Sequence, residues 1–305
     1  MDISIELEAV RRLPPRAAIA REAARLRRDE LDGSLALSST TLTRTQVDAL
    51  VDRGIATGDH RLEQFITVRD LANASAWVAE QRPLAVSDPR PLITVEDVRR
   101  LHAFAAAGQP KFQPGAWRLA VDPPSQAIVS LPPWMIAKEV GTLVDRHRQR
   151  PPAGELGAWL AAFLGRFARI RPFASANGRA GRLAVALLLR RLDGVPLAIP
   201  RARVPAYRRA LLAAENGEPQ ALTGLIEETL LQGCRRLLAA AGDEPLEPLR
   251  ALAGPHYAAL IKAVKRGRLA AIVRDGRVFT TAAWIADYRT ETTPMSSRAE
   301  SRDSD

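Results

Sequence analysis

The chain holds a single cysteine, Cys234, in 305 residues, so no intramolecular disulfide framework and no cysteine metal cluster can form. Cys234 follows Leu230 and Leu231, a setting that suits inert packing and not a nucleophile. No apolar stretch approaches the roughly 18–20 uncharged residues a membrane span requires. The first residues, Met-Asp-Ile-Ser-Ile-Glu, carry early acids and no signal-peptide pattern. These absences lead us to expect a soluble, cytoplasmic protein without a membrane partner. Internal repeats and coiled-coil heptads are also lacking. Histidine is scarce, at His60, His102, His147 and His256, and lysine is confined to Lys111, Lys138, Lys262 and Lys265 beside forty arginines. The lysine shortage reads as codon bias. What the chain does have is an apolar fraction of 47%, ample for a large, mostly helical core, in a length that allows two or three domains.

The most informative stretch is Arg171-Pro-Phe-Ala-Ser-Ala-Asn-Gly-Arg-Ala-Gly-Arg182. Asn177, Gly178 and Gly181 lie between an apolar run ending at Ile170 and another beginning at Leu183, which predicts a tight turn at the start of a buried helix. The free N–H groups of such a turn and the positive end of the helix dipole favour phosphate. Arg179 and Arg182, three apart, share a face of the first turns, and their guanidinium forks suit phosphate oxygens.

These residues resemble the signature of the Fic (Fido) family, His-Pro-Phe-x-Asp/Glu-Gly-Asn-Gly-Arg-x-x-Arg. Pro172, Phe173, Asn177, Gly178, Arg179 and Arg182 match it, whereas Arg171 stands at the histidine, Ser175 at the acid and Ala176 at the first glycine. The resemblance implies that the histidine would take a proton from a target hydroxyl and the carboxylate would hold Mg²⁺. It also implies that Asn177, Gly178, Arg179 and Arg182 bind nucleotide phosphates, typically so that AMP passes from ATP to a protein hydroxyl. Arginine is protonated throughout the neutral range and has no lone pair, so Arg171 cannot act as a general base. Losing a positioned base typically costs about 10²–10⁴-fold in rate. Ser175 supplies no negative charge, while Mg²⁺ sites generally use one or two carboxylates. Hence no catalytic or metal residue is assigned. ATP or another nucleotide remains the expected ligand.

Flanking segments extend the resemblance. Ile93 to His102 reads as a helix capped by Thr94; Pro114-Gly-Ala-Trp-Arg118 and Leu131-Pro-Pro-Trp134 follow, and 119–130 is expected to be a hairpin flap that aligns a target peptide. Gly194-Val-Pro-Leu-Ala-Ile199 and a helix around Tyr207 come later in the expected order. Near the N-terminus, Ser34 to Thr43 fits the surroundings of an inhibitory segment whose glutamate would pair with the second motif arginine, but Ser38 occupies that position. The segment is either a vestige of that inhibitory helix or a plain Ser/Thr-capped helix end. No histidine adjoins the motif. His102 reads as a buried structural histidine, and His147, within Asp145-Arg-His-Arg-Gln-Arg150, as part of a solvated helix end.

Of the net charge of +10, +6 falls between Leu249 and Arg289. There Ala258–Val264 reads as a helix and Lys265-Arg-Gly-Arg268 as a basic corner. Leu269–Val273 and Val278–Thr281 read as strands joined through an Asp-Gly turn, and Thr280 or Thr281 as the cap of a last helix containing Trp284, Ile285 and Tyr288. This resembles the small winged helix-turn-helix of MerR or excisionase-type proteins, with Lys265, Arg266, Arg268, Arg274 and Arg277 as nucleic-acid candidates. The alternative is a degenerate module with solvated arginines.

The expected fold is mainly α: a Fic helical core with a short β-hairpin flap, followed by a small winged helix-like domain. The divisions are residues 1–92, an N-terminal helical region with the degenerate inhibitory segment; 93–232, the Fic core; 249–289, the basic module; and 290–305, a disordered tail. Gln81 to Pro91, with three prolines, is expected to be a linker. The functional expectation is a degenerate Fic-family protein that binds nucleotide phosphate, with a regulatory role and DNA as a partner. The alternative is an active protein adenylyltransferase with a non-standard base.

Overall fold

Helices take most of the chain because apolar residues recur at three- and four-residue spacing between capping signals. The computed structural model describes residues 3–11, 13, 17–120, 131–241, 247–269, 271–274 and 277–292. Along them run α1 (Ile3–Arg11), α2 (Ala17–Leu37), α3 (Arg44–Arg53), α4 (Leu62–Glu80), α5 (Val95–Ala105), α6 (Pro133–His147), α7 (Leu156–Ile170) and α8 (Asn177–Arg191). Then come α9 (Val204–Glu215), α10 (Gln220–Ala241), β1 (Glu247–Pro248), α11 (Leu249–Ala253), α12 (Tyr257–Lys265), β2 (Ile272–Arg274), β3 (Arg277–Thr280) and α13 (Ala282–Thr292). The flap expected at 119–130 falls, from residue 121 onward, outside the described residues.

Helix α8 is the axis of the larger unit. It buries Ala180, Gly181, Leu183, Ala184, Val185, Leu187, Leu188 and Leu189, so it is apolar nearly all round and packs against α4, α5 and α7. Gly181 permits the α7 approach, since a Cβ there would stand 3.0 Å from a Phe167 ring carbon. Gly33 does the same for α2, where a Cβ would lie 2.1 Å from the Ile199 carbonyl oxygen. Thr94 opens α5 with a capping box: its hydroxyl accepts the Asp97 N–H at 3.0 Å and the Asp97 carboxylate accepts the Thr94 N–H at 2.9 Å. The same carboxylate takes two bonds from Arg191, at 2.7 and 3.1 Å, tying the start of α5 to the end of α8.

Residues 81–91 connect α4 to α5 without helix or strand and are tied to the core, the Leu84 N–H donating to the Arg191 carbonyl at 2.9 Å and Arg150 donating to the Leu84 carbonyl. Several expectations need correction. His147 is buried, not part of a solvated helix end. It shares the inner face of α6 with Ile136, Val140, Leu143 and Val144, and its ring nitrogens bond to the carbonyls of Leu143 at 2.8 Å and Trp159 at 3.0 Å. Helix α10 continues past residue 232 to Ala241, and α13 runs to Thr292, into the stretch expected to be disordered from 290. That last turn is held in part by the Thr290 hydroxyl, which donates to the Ala286 carbonyl at 2.8 Å.

The C-terminal unit has its own apolar cluster: Leu249, Ala253, Leu260, Ala263, Leu269, Trp284 and Ile285. β2 and β3 pair antiparallel with Arg274 opposite Arg277, a register that leaves two residues for the turn. β1 adds to the other side of β3, giving the sheet order β1-β3-β2, a third strand hidden in a proline-containing connection. Thr281 caps α13, its hydroxyl accepting the Trp284 N–H at 3.1 Å. The unit abuts α9 and α10: Arg203 donates to the Arg266 carbonyl at 3.0 Å, and Ala239 packs on the cluster.

Candidate functional site

The motif loop is built between two left-handed residues, Arg171 at φ 46° and Ala176 at φ 54°. Arg171 ends α7, its N–H donating to the Phe167 carbonyl at 3.1 Å. Ala176 is the residue before α8 and takes a conformation glycine would enter freely, at a cost of about 1–2 kcal/mol for a residue with a Cβ. Between them Phe173 is fully buried and stacks on the His102 ring, centroids 3.7 Å apart and planes within 3°. Asn177 locks the turn from both sides. Its Oδ1 accepts the Phe173 N–H at 2.9 Å and its Nδ2 donates to the Phe173 carbonyl at 2.7 Å. Asn177 is thus an architectural staple, its side chain taken up inside the turn. The first α8 bond runs from the Ala180 N–H to the Ala176 carbonyl at 2.9 Å, so the amides of Asn177, Gly178 and Arg179 point ahead of the helix.

Around that helix start lie polar atoms whose bonding is incomplete. Arg179 is buried, and its Nη1 has no hydrogen-bond partner; the Ser175 Oγ is likewise buried and unpartnered. Burial, and then the nearby Arg182 charge, hold the Arg179 pKa below its ordinary value. Arg182 reaches back to α2: Nε donates to Ser34 Oγ at 2.8 Å, and Nη2 donates to the Ser34 carbonyl and Ser38 Oγ, each at 3.0 Å. Ser38 therefore does meet the second motif arginine, with a hydroxyl where a carboxylate would have neutralised the charge. The Arg182 Nη1 stays close to Gly178, 3.2 Å from where a Cβ would stand. Burial depresses the Arg182 pKa too. The acids nearest in sequence are spent elsewhere: Asp32 binds Arg201 twice, at 2.7 and 2.8 Å, and Glu30 accepts the Leu197 N–H at 2.9 Å.

A cavity of about 200 Å³ opens beside the start of α8, lined in part by Arg171, Asn177, Gly178, Tyr207, Leu211 and Glu215. Glu215, at the end of α9, faces Arg171 across it. Burial pushes the Glu215 carboxyl above its usual range, and the Arg171 charge opposes that rise. The Tyr207 hydroxyl is buried beside Arg182; burial raises its pKa and the Arg182 guanidinium opposes that rise. Sequence reasoning missed Glu215, which is far from the motif along the chain and has no signature around it.

Arg118 was legible only as part of a flanking element, yet it organises the entrance. It is 4% exposed and donates to three carbonyls: Arg171 at 2.8 Å, Ala120 at 2.8 Å and Leu131 at 2.6 Å. One guanidinium thereby ties Ala120 and Leu131 to the motif loop. Beside it, Leu119 and Trp134 are exposed. His102 is buried, accepts the Gly115 N–H on Nδ1 at 2.9 Å, and turns Nε2 toward the Ser175 backbone without a bond of good geometry. Burial pulls its pKa down to about 4, so it is a neutral structural ring. Cys234 is buried, with its thiol pKa pushed up to about 12 by burial.

A divalent cation does not fit the acid position, because Ser175 offers a neutral hydroxyl in surroundings dominated by Arg171, Arg179 and Arg182. Among the described residues no group of three or more His, Cys, Asp or Glu is placed to hold a metal ion, and no helix is long and apolar enough to cross a membrane. The nucleic-acid candidates lie apart from the motif. Lys265, the last residue of α12, and Arg266 and Arg268 just after it are exposed, and Arg277 is exposed at the start of β3. Arg274 ends β2 opposite Arg277, and its side chain is outside the described residues.

Comparison with known proteins fits this geometry. The profile of the Fic/DOC family matches residues 92–189. Fic-1 from C. elegans shares 16% identity at a TM-score of 0.68, over 78% of this chain and 70% of that one. A Fic domain containing signaling protein from Bacteroides thetaiotaomicron shares 17% at 0.67, over 80% and 96%. A Fic family protein from Desulfovibrio desulfuricans shares 19% at 0.58, over 92% and 94%. No curated protein matches the chain. At these identities the structural likeness speaks to fold. The family match places a Fic/DOC family domain at residues 92–189.

Proposed function

We propose that the protein is a catalytically degenerate Fic-domain regulator that holds nucleotide phosphate at the start of α8. The observation that carries this reading is the pair of buried, unpartnered polar atoms there, Arg179 Nη1 and Ser175 Oγ. Leaving such groups unsatisfied costs roughly 1–3 kcal/mol each, and a phosphate oxygen beside the helix amides would satisfy the donors. Arg171 adds positive charge where a base would be needed. The arrangement therefore favours holding an anion over reacting it. A triphosphate should stabilise the chain against heat without any label passing to protein, and the shift should shrink in Arg179→Gln. Absence of a shift with ATP, GTP and inorganic triphosphate alike would overturn the reading.

In the same proposal, the entrance drawn together by Arg118 receives a target peptide against Leu119 and Trp134, and the exposed cations at Lys265, Arg266, Arg268 and Arg277 contact DNA. Phosphate contacts of that kind make affinity fall steeply with salt. Cytoplasmic location follows from a nucleotide and DNA ligand set.

A second reading has one specific observation in its favour. Glu215 shares the cavity with Arg171 and Asn177, and burial raises its pKa, the direction a carboxylate base needs. An adenylyltransferase using Glu215 would move labelled α-phosphate from ATP to a protein and lose that activity in Glu215→Gln. No transfer by the natural chain excludes it.

A further inference from the structure

A second cavity, of about 340 Å³, lies between α2, α4, α8 and the 193–199 segment. Its walls are mainly aliphatic, from Leu31, Leu71, Val78, Leu183, Ala186 and Leu197. Arg182 and Ser34 border it nearest the motif, and Arg27, Glu30 and Arg190 also line it. Thirteen residues of helix separate Asn177 from Arg190, a rise of about 20 Å, so the Arg190 end is remote from the phosphate seat.

The polar groups around Arg190 are mismatched in charge. The Arg190 Nε is buried and makes no hydrogen bond. Arg27 lies near enough for the Arg190 charge to lower its pKa, after burial has done so. Between these cations the carboxylates on the lining are Glu30 and Asp193, and Asp193 is exposed at the rim. Glu30 already accepts the Leu197 N–H, and burial lifts its pKa to about 7, so at neutral pH it is only partly charged. Two guanidinium groups lining an aliphatic chamber, Arg27 exposed to solvent and Arg190 with an idle buried donor, form a receptor for an anion with an apolar body.

We propose that this cavity binds a medium-chain aliphatic carboxylate, with the chain among Leu31, Leu71, Val78, Leu183 and Ala186 and the carboxylate at Arg190 and Arg27. The volume sits at the small end of ligand sites, which run roughly 300–1,000 Å³, and so excludes long acyl chains. Neither nucleotide nor DNA binding is required for it.

The probe is octanoate, titrated calorimetrically into the full chain below its aggregation concentration, with octanol and octylamine as matched comparisons. Saturable binding of octanoate at one site is expected, at least tenfold tighter than either comparison. Arg190→Gln should weaken octanoate at least tenfold and leave octanol unchanged. Ala186→Phe, which fills the chamber while keeping both arginines, should abolish binding in a chain whose circular dichroism and melting remain cooperative. No saturable octanoate binding by the natural chain overturns the proposal. So does octanol binding as tightly as octanoate, or Ala186→Phe binding octanoate undiminished.

Discussion

The arginines at the start of α8 and the cations from the end of α12 onward are chemically alike and structurally opposite. Arg179 is buried with an idle nitrogen, and Arg182 is drawn into bonds with Ser34 and Ser38. Lys265, Arg266, Arg268 and Arg277 are exposed. A buried cation has given up its water, so any anion that reaches it gains a strong, weakly screened partner. An exposed cation keeps its water, gains little from one pairing and acts with its neighbours through a salt-sensitive field. On the proposed function, the contrast separates a receptor for one anion from a surface for a polyanion.

The largest effect should come from the packing beneath the receptor. Phe173→Ala removes the ring stacked on His102 and should cost about 3–5 kcal/mol of stability by denaturant titration. It should abolish triphosphate stabilisation as well. If the variant instead binds triphosphate normally, the receptor does not depend on its buried floor, and the contrast with the surface module fails.

Next comes acid sensitivity. His102 is neutral when folded, with a pKa near about 4 against an ordinary 6.5, so the unfolded chain takes up a proton first as pH falls. Stability is therefore retained above about pH 6.5 and lost as pH drops toward 4, by about 3 kcal/mol over the interval. Denaturation at a series of pH values should show this slope, and His102→Gln should flatten it.

Smaller effects follow at the edges of the receptor. Ala176→Gly relieves a left-handed residue with a Cβ and should stabilise by up to about 1 kcal/mol, after the entropy cost of glycine is set against the relief. Ser38→Glu should place a carboxylate on Arg182 and weaken triphosphate binding, while Ser38→Ala should change stability by about 1 kcal/mol at most. Thermal shift with and without ligand reads both. Least of all, alanine at Lys265, Arg266 and Arg268 should leave stability within about 0.5 kcal/mol. Any DNA affinity should fall with a shallower salt dependence. A large melting change there would show that these cations are structural after all.

Much of this architecture was legible because it rests on local rules. The Thr94 cap, the turn ahead of α8, the pairing of β2 with β3 around an Asp-Gly turn that itself lies outside the described residues, and a threonine cap at 280 or 281 are each set within a few residues by propensity and hydrogen bonding. His147 misled because a run of charged neighbours hid its place on the inner face of α6, where helical period overrode local composition. The third strand at Glu247–Pro248 was hidden because a two-residue edge has no pattern of its own.

By itself the sequence determined the helical class, the turn that presents amides at the start of α8, and the presence of an arginine at 171 and a serine at 175. These are properties of residue type and short spacing. Only the tertiary structure decided that Asn177 spends its side chain on Phe173, that Arg118 joins Ala120 and Leu131 to the motif loop, that Ser34 and Ser38 meet Arg182, and that Glu215 shares a cavity with Arg171. Those pairings join residues on separate elements, and burial, which exists only once the chain is packed, sets the charge state of each.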